Sequence, residues 1–466
     1  MLDSVWQALI ELGLIIGVNC IFIPCYWFGL VVDDATAMVL NPFRLKQAKV
    51  FSIAIHLAVA FWIYIAFGLS SISLIASILF SVHPNCVQVA CWRSGGHYGI
   101  NALYMLLIIA LAPYGAFFYL LGVRANATLA LTPFIFMFSK HWFLVLLAPL
   151  VFWWYWQKIK LNIEGKKKGG DDGIVFVPAV TTDFDMLVIA PRKLIIAVKT
   201  FGFYALNCLL PLKNGFYNSF LQTFGASLKD AKYWYSLNRH FWGGLFAIIV
   251  MAYLWFVNRS SFIGMGIVLF VVSIAPFLNF ISVQQFTSAR YAYLPLVGFQ
   301  IALVGLLHNY LGIYSIIPIA GLFTFYLDRL LRVMRHYKTN NIDMYLLERQ
   351  EFPDNPRLWY FMYAHWLHKG NPILALAESM YGLKTLPQDC QLWFGATCAA
   401  FEMGDYKAAS AFLDNSEKFM VIAGRTEMKT IIEEMRTRIR QEMGLIPKPK
   451  IIIPNQNKKP FYKGIG

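Results

Sequence analysis

"WQALIELGLIIGVNCIFIPCYWFGLVVDD", residues 6–34, is an apolar run that ends on two adjacent carboxylates. Up to Leu30 its only charged residue is Glu11. A bilayer-spanning helix needs about 20 mostly apolar residues, and this run supplies them. Asp33 and Asp34 then stand where hydrocarbon gives way to water. Ionised oxygens are costly there, so the pair asks for either a structural or a chemical reason.

The rest of the chain has the same character. Of 466 residues, 58% are hydrophobic and only 14% are charged, against about 25% charged in a soluble domain. Mean hydropathy is +0.54. These values describe a polytopic membrane protein. Lipid excludes irregular backbone, so the spans are expected to be helices. The alternating pattern of a membrane barrel is absent. The expected fold class is therefore all-α. The first run lacks a small-residue cleavage site and is read as the first span and a signal anchor. A net charge of +15 fits basic cytoplasmic loops and anionic lipid headgroups. The basic residues do not line one soluble face, which argues against nucleic acid. The seven cysteines show no CxxC pair and no zinc spacing, so they are read as packing residues and no metal site is assigned.

Apolar windows fall at 6–30, 50–69, 71–84, 99–122, 125–139, 141–156, 188–211, 240–257, 261–283, 296–310 and 313–327. About eleven spans follow. The densest basic loop, "KIKLNIEGKKKGGDD" (158–172), is assigned to the cytoplasm. Counting from it puts the N-terminus in the cytoplasm. The Asp33–Asp34 loop, residues 210–220 and 284–295, and everything after residue 328 then lie outside.

Beyond residue 340 the pattern changes. "FPDNPRLWYFMYAHWLHKGNPILALAESM" (352–380) lies on "LPQDCQLWFGATCAAFEMGDYKAASAFLD" (386–414). Trp359 falls on Trp393, Gly370 on Gly404 and Ala375 on Ala409, all at the 34-residue period of the tetratricopeptide hairpin. Residues 416–443 read as an amphipathic capping helix. Three parts are expected: a transmembrane domain over 1–328, a repeat domain over 329–443, and a Pro- and Lys-rich tail over 444–466.

Several polar groups share the outside face in this topology. They are Asp33 and Asp34; His83, Arg93 and His97 in "SVHPNCVQVACWRSGGHYG" (81–99); Lys140 with His141; and Ser288, Arg290, Tyr291 and Tyr293. Each has a plain structural explanation. Asp34 is a favoured N-cap, His83 before Pro84 suits a helix end, Arg290 and its tyrosines suit interfacial anchors, and Lys140 suits snorkelling. Taken together they suit chemistry. A carboxylate can act as base on a hydroxyl, while Arg and Lys hold a phosphate.

The motifs resemble, in order, those of the transmembrane and tetratricopeptide-repeat O-mannosyltransferases of the GT-C superfamily. The carriers are "FGLVVDDATAMVLNP" (28–42), "FSVHP" (80–84) followed by Ser94–Gly95, "SKH" (139–141), Pro276 with Asn279, and "RYAYLPLVGF" (290–299), with repeats after them. The likeness spans nearly the whole chain. It implies inverting transfer of a mannose-like sugar from a polyprenyl-phosphate donor to protein Ser or Thr. One Asp, Asp34 ahead of Asp33, would be the base. Arg290 would face the donor phosphate, with Lys140, His83, Arg93, Tyr291 and Tyr293 about the substrate. The repeats would hold an acceptor protein or partner subunit. No metal ligand is assigned, and a divalent ion is left open. Cys86, Gln88, Gly96, His141 and Ala289 stand where the family often carries other, mostly charged, residues. Those departures keep a second class open, a catalytically inactive membrane scaffold or assembly subunit. A lipid-linked glycan flippase or ligase is a third. A transporter fits less well, because the polar groups crowd one face instead of the bilayer midplane.

Overall fold

The computed structural model describes residues 2–27, 42–91, 96–111, 191–212, 237–259, 261–278, 287–338, 345–346, 349, 356–422 and 428–446. The described chain is all-helical. Helices α1 (Leu2–Asn19), α2 (Pro42–Ala66), α3 (Ser71–Ser81), α4 (Val87–Cys91), α5 (Gly96–Ala110), α6 (Pro191–Leu209), α7 (Arg239–Asn258), α8 (Phe262–Ile274), α9 (Tyr293–Leu311) and α10 (Ile316–Lys338) come first. Then follow α11 (Pro356–His368), α12 (Pro372–Thr385), α13 (Cys390–Glu402), α14 (Tyr406–Ile422) and α15 (Lys429–Glu442).

Three helical stretches among the described residues are long and apolar enough to cross a membrane: Trp6–Cys25, Arg239–Asn258 and Ala289–Arg335. Gly312, at φ +55°, divides the last of them into α9 and α10. Left-handed backbone of this kind favours glycine. The bent pair Ser71–Ser81 and Pro84–Cys91 makes a fourth if it is one broken span, and four shorter apolar helices accompany it. The windows at 125–139 and 141–156 lie outside the described residues.

The bend of 62° between α3 and the helix after it follows from "HP". Pro84 disfavours helical backbone at the residue before it, and His83 is extended at φ −76°, ψ 133°.

Glycine lets helices touch along their backbones. A Cβ on Gly298 (α9) would lie 2.4 Å from the Gly266 carbonyl oxygen of α8, and one on Gly244 (α7) 2.0 Å from the Val198 carbonyl oxygen of α6. Small residues at crossings are the usual means of close packing among apolar helices. Buried polar links add to them. Asn19 donates to Ser81 at 3.0 Å, Ser77 donates to the Ala60 carbonyl at 2.6 Å, and His56 meets the Tyr293 hydroxyl at 2.8 Å. Glu11, the lone charge of the first run, accepts from the Tyr64 hydroxyl.

Helix α10 runs without a break through residue 328, so the expected boundary at 328/329 falls inside a helix. Leu358 and Met362 of α11 join the same core as α1–α10, while Trp359, Tyr360 and Tyr363 join a second core with α12–α15. Helices α11 and α13 start 34 residues apart, as do α12 and α14. Gly370 (φ +72°) and Gly404 (φ +78°) turn the chain at matching places. Asn371 and Asp405, also matched, accept from the backbone N–H three residues on, as N-caps do.

Candidate functional site

The site is built around the short helix α4. Gln88 on it is buried, and its amide oxygen accepts from the Ser288 hydroxyl at 3.0 Å and from the Arg290 backbone N–H at 3.1 Å. The Ser288 N–H donates to the Tyr204 hydroxyl of α6 at 3.2 Å. The turn that carries Arg290 is thus fastened to two helices. Its chain partners Tyr291, Ala292 and Tyr293 are buried.

Arg290 is 5% exposed. Its guanidinium carbon lies 5.5 Å from the Tyr291 ring centre and 5.9 Å from that of Tyr98. Tyr291 in turn stacks on Phe277 at 4.5 Å. A weakly hydrated guanidinium tolerates such surroundings better than an ammonium, and the ring faces offset part of its desolvation. This is an interior position, not the interfacial anchor that the Arg-Tyr-x-Tyr pattern alone would allow.

His83 is fully buried. Its Nδ1 accepts from the Asn85 N–H at 3.2 Å, and its Nε2 lies 3.2 Å from the Cys208 carbonyl, which accepts its proton. The ring therefore carries hydrogen on Nε2. It meets Tyr326 of α10 edge-on at 4.5 Å, and the Tyr326 hydroxyl donates to the Cys208 and Leu209 carbonyls at 3.2 and 3.0 Å. In this arrangement His83 ties its own turn, through Nδ1, to the end of α6, through Nε2. Tyr293 is engaged with His56, which packs against Phe22 and Phe80.

One correction concerns the cysteines. Read as packing residues, Cys25 and Cys91 are instead joined in a disulfide with Cα atoms 5.4 Å apart. They are 66 residues apart in sequence, and nothing in their spacing announces the pair. Gln88, Tyr204, Tyr98 and His56 were likewise not singled out as site residues. Their roles depend on contacts across 84 to 237 residues of sequence for the three bonds that involve Tyr204, Gln88 and His56.

Asp33, Asp34, Arg93 and Lys140 lie outside the described residues, as do Ser94, Gly95, His141 and Asn279. The described segments next to them are informative. Cys25 precedes Asp33 by eight residues and Cys91 precedes Arg93 by two. The described segments that lead toward Asp33 and toward Arg93 are therefore joined covalently, and Cys91 of that junction lies on the helix that also fixes the Arg290 turn. No protein family, no curated protein and no solved structure matches this chain.

Proposed function

We propose that the chain is an integral-membrane glycosyltransferase of the GT-C type. It moves a mannose-like sugar from a polyprenyl-phosphate donor to Ser or Thr hydroxyls on the extracytoplasmic side. One observation carries this reading: the convergence on α4 of the Cys25–Cys91 junction and of the Gln88 bonds to the Arg290 turn. The described segment that leads toward Asp33–Asp34, the one that leads toward Arg93 and the turn that carries Arg290 are thereby tied to one five-residue helix.

In the reaction, Asp34 or its neighbour Asp33 takes the proton of the acceptor hydroxyl. The hydroxyl oxygen bonds to the anomeric carbon on the face away from the phosphate. The carbon–oxygen bond to phosphate breaks, and its electron pair leaves with the polyprenyl phosphate, so the anomeric centre inverts. Arg290 and Lys140 offset the phosphate charge, with Arg93 beside them. Tyr291 sets the Arg290 guanidinium, and His83 and Tyr293 hold the helices around it.

The full topology in this reading has about eleven spans, a cytoplasmic N-terminus and an outer repeat domain. A disulfide at the outer end accords with it, since disulfides persist in oxidising compartments. The α11–α14 hairpins are tetratricopeptide-type repeats that present the acceptor.

The test is glycosylation of exported proteins co-expressed with the chain. The Asp33→Asn, Asp34→Asn double variant is expected to abolish it while the protein stays in the membrane. Unchanged glycosylation would remove the catalytic role. A second reading, an inactive membrane scaffold, draws on Gln88 and His83. Gln88 spends its amide oxygen, and His83 both ring nitrogens, on the protein's own groups. Fixed-stoichiometry co-purification with a larger complex, together with no transfer by the unaltered chain, would favour that reading.

A further inference from the structure

Helix α12 has two faces. Ala375, Ser379, Gly382 and Leu383 are buried. They face α11 and α13, and a Cβ on Gly382 would lie 2.9 Å from Leu392 and 3.0 Å from Trp359. The opposite face carries Ile373, Leu374, Ala377, Met380 and Tyr381 at helical spacing, and all of them are exposed. Ile373 is 66% and Tyr381 62% exposed. A contiguous exposed apolar patch marks an interaction surface.

The repeat supplies its own control. Helix α14 holds the same place in the second hairpin that α12 holds in the first. Its matching positions are Lys407, Ala408, Ala411, Asp414 and Asn415. The hairpin architecture therefore does not call for Ile373, Met380 or Tyr381. What differs is location. Leu358 and Met362 put α11 into the core of the bundle, while α13 and α14 bury their side chains in the second core alone. On another side of α11, Trp359 stacks on Tyr381 with ring centres 5.8 Å apart. Only one helix thus separates α12 from the bundle. The bundle meets the hairpins where α10 carries Asp328, Arg329, Arg332, Arg335 and Lys338. Charges of this density belong at the headgroup level, beyond the apolar layer.

The charges around the α12 face complete the pattern. Lys369 precedes the face and Lys384 ends it, both exposed. The Lys384 Nζ lies 4.8 Å from the Tyr381 ring centre. Glu378 is the single carboxylate of α12, and Arg349 neutralises it at 2.7 Å. An apolar strip bordered by cations, on the hairpin nearest the bundle, complements a lipid surface with anionic headgroups.

We propose that the outer face of α12 lies on the bilayer beside the bundle. Ile373, Met380 and Tyr381 enter the boundary between headgroups and acyl chains, and Lys369 and Lys384 meet anionic phospholipid headgroups. Tyrosine is at home at that level. The contact anchors the first hairpin and leaves the second in water. It requires a membrane around the bundle and is independent of the transferase reading.

The experiment uses the full chain, one copy per nanodisc, in mixed phosphatidylcholine and phosphatidylglycerol. A fraction of the lipid carries a photoreactive group near the top of one acyl chain. Crosslinks are expected on α12 as well as on the spanning helix α7, and none on α14. The Ile373→Lys, Met380→Asp double variant copies the α14 residues onto exposed positions. It is expected to lower α12 labelling at least about tenfold, with α7 labelling and hydrogen exchange in α13 unchanged. Lys369→Gln and Lys384→Gln are each expected to weaken it about fivefold, and only when phosphatidylglycerol is present. Labelling of α7 without α12 would overturn the proposal, as would equal α12 labelling in the folded double variant. Equal α12 labelling in phosphatidylcholine alone would overturn the anionic assignment. Exchange protection of α12 that rises with the number of chains per disc, without lipid labelling, would give the face to a second copy and overturn the proposal as well.

Discussion

The bundle α1–α10 and the hairpins α11–α15 are both helical, yet different physics holds each together. In the bundle, glycine crossings seat α7 on α6 and α9 on α8, and a few buried polar bonds tie together helices far apart in sequence. In the hairpins, each helix touches mainly its neighbours in sequence, and Asn and Asp caps with left-handed glycines set the turns. Between lipid-facing helices the hydrophobic effect gives no drive to associate, so close backbone contact must supply it. In the hairpins each repeat packs on its neighbour, and local signals suffice to fix their turns. One substitution in the bundle should therefore disturb the whole, whereas one in the hairpins should remain local.

The largest effect is expected at a crossing. Gly298→Leu puts carbon against the Gly266 carbonyl and should cost at least about 3 kcal/mol, the upper end for overpacking. Loss of a monodisperse species in detergent is the measure, and a well-folded variant would mean that the crossing is looser than described. Next comes the disulfide. Cys91→Ser should cost about 2–4 kcal/mol of stability, read as a lower thermal midpoint, with a similar drop on mild reduction of the unaltered chain. If reduction changes nothing, Cys25 and Cys91 are not joined in the membrane.

Gly404→Ala serves as the counterpart in the hairpins. The space around it is open, and its φ of +78° is the only obstacle, so a cost of about 1 kcal/mol is expected. Hydrogen exchange should rise in α13 and α14 alone. If exchange rises in α6–α9 as well, the contrast between the two regions fails. Tyr293→Phe removes a single buried bond to His56 and should cost about 0.6 kcal/mol, the average for such bonds in membranes.

The smallest effect concerns His365 of α11. Burial, helped by Lys369 and His368, holds its pKa below 6.5. The unfolded chain therefore binds the proton more readily, so stability is full above pH 6.5 and falls as the pH drops below it. Because the ring is half-buried, only a slight loss of hairpin stability is expected as the pH falls below 6.5, and His365→Asn should remove it.

The same contrast explains what could be read from residues alone. The hairpins were legible because their signals are local and repeated: Trp359 and Trp393, Gly370 and Gly404, Ala375 and Ala409. The break at His83–Pro84 was legible for the same reason, since a proline acts on its own neighbour. The end of the bundle was not. Residue 328 looked like a boundary because apolar residues thin out there, yet α10 continues on an amphipathic face to Lys338. Cys25 and Cys91 sit in apolar surroundings that suit packing equally well. Gln88 looked like a lost carboxylate, and its hold on the Arg290 turn depends on a partner about 200 residues away, a separation of 202 for the backbone bond. Buried polar links between spans leave no periodic trace.

The central claim is that the acidic loop and the Arg290 turn share one side of the membrane and one site. The most direct measurement pairs Asp34→Cys with Arg290→Cys in sealed vesicles of known orientation, using a short bifunctional maleimide that does not cross the bilayer. The account predicts a crosslink between the two positions from the outer side only. Reaction of residue 34 from the inner side, or labelling of both positions without a crosslink, would contradict it.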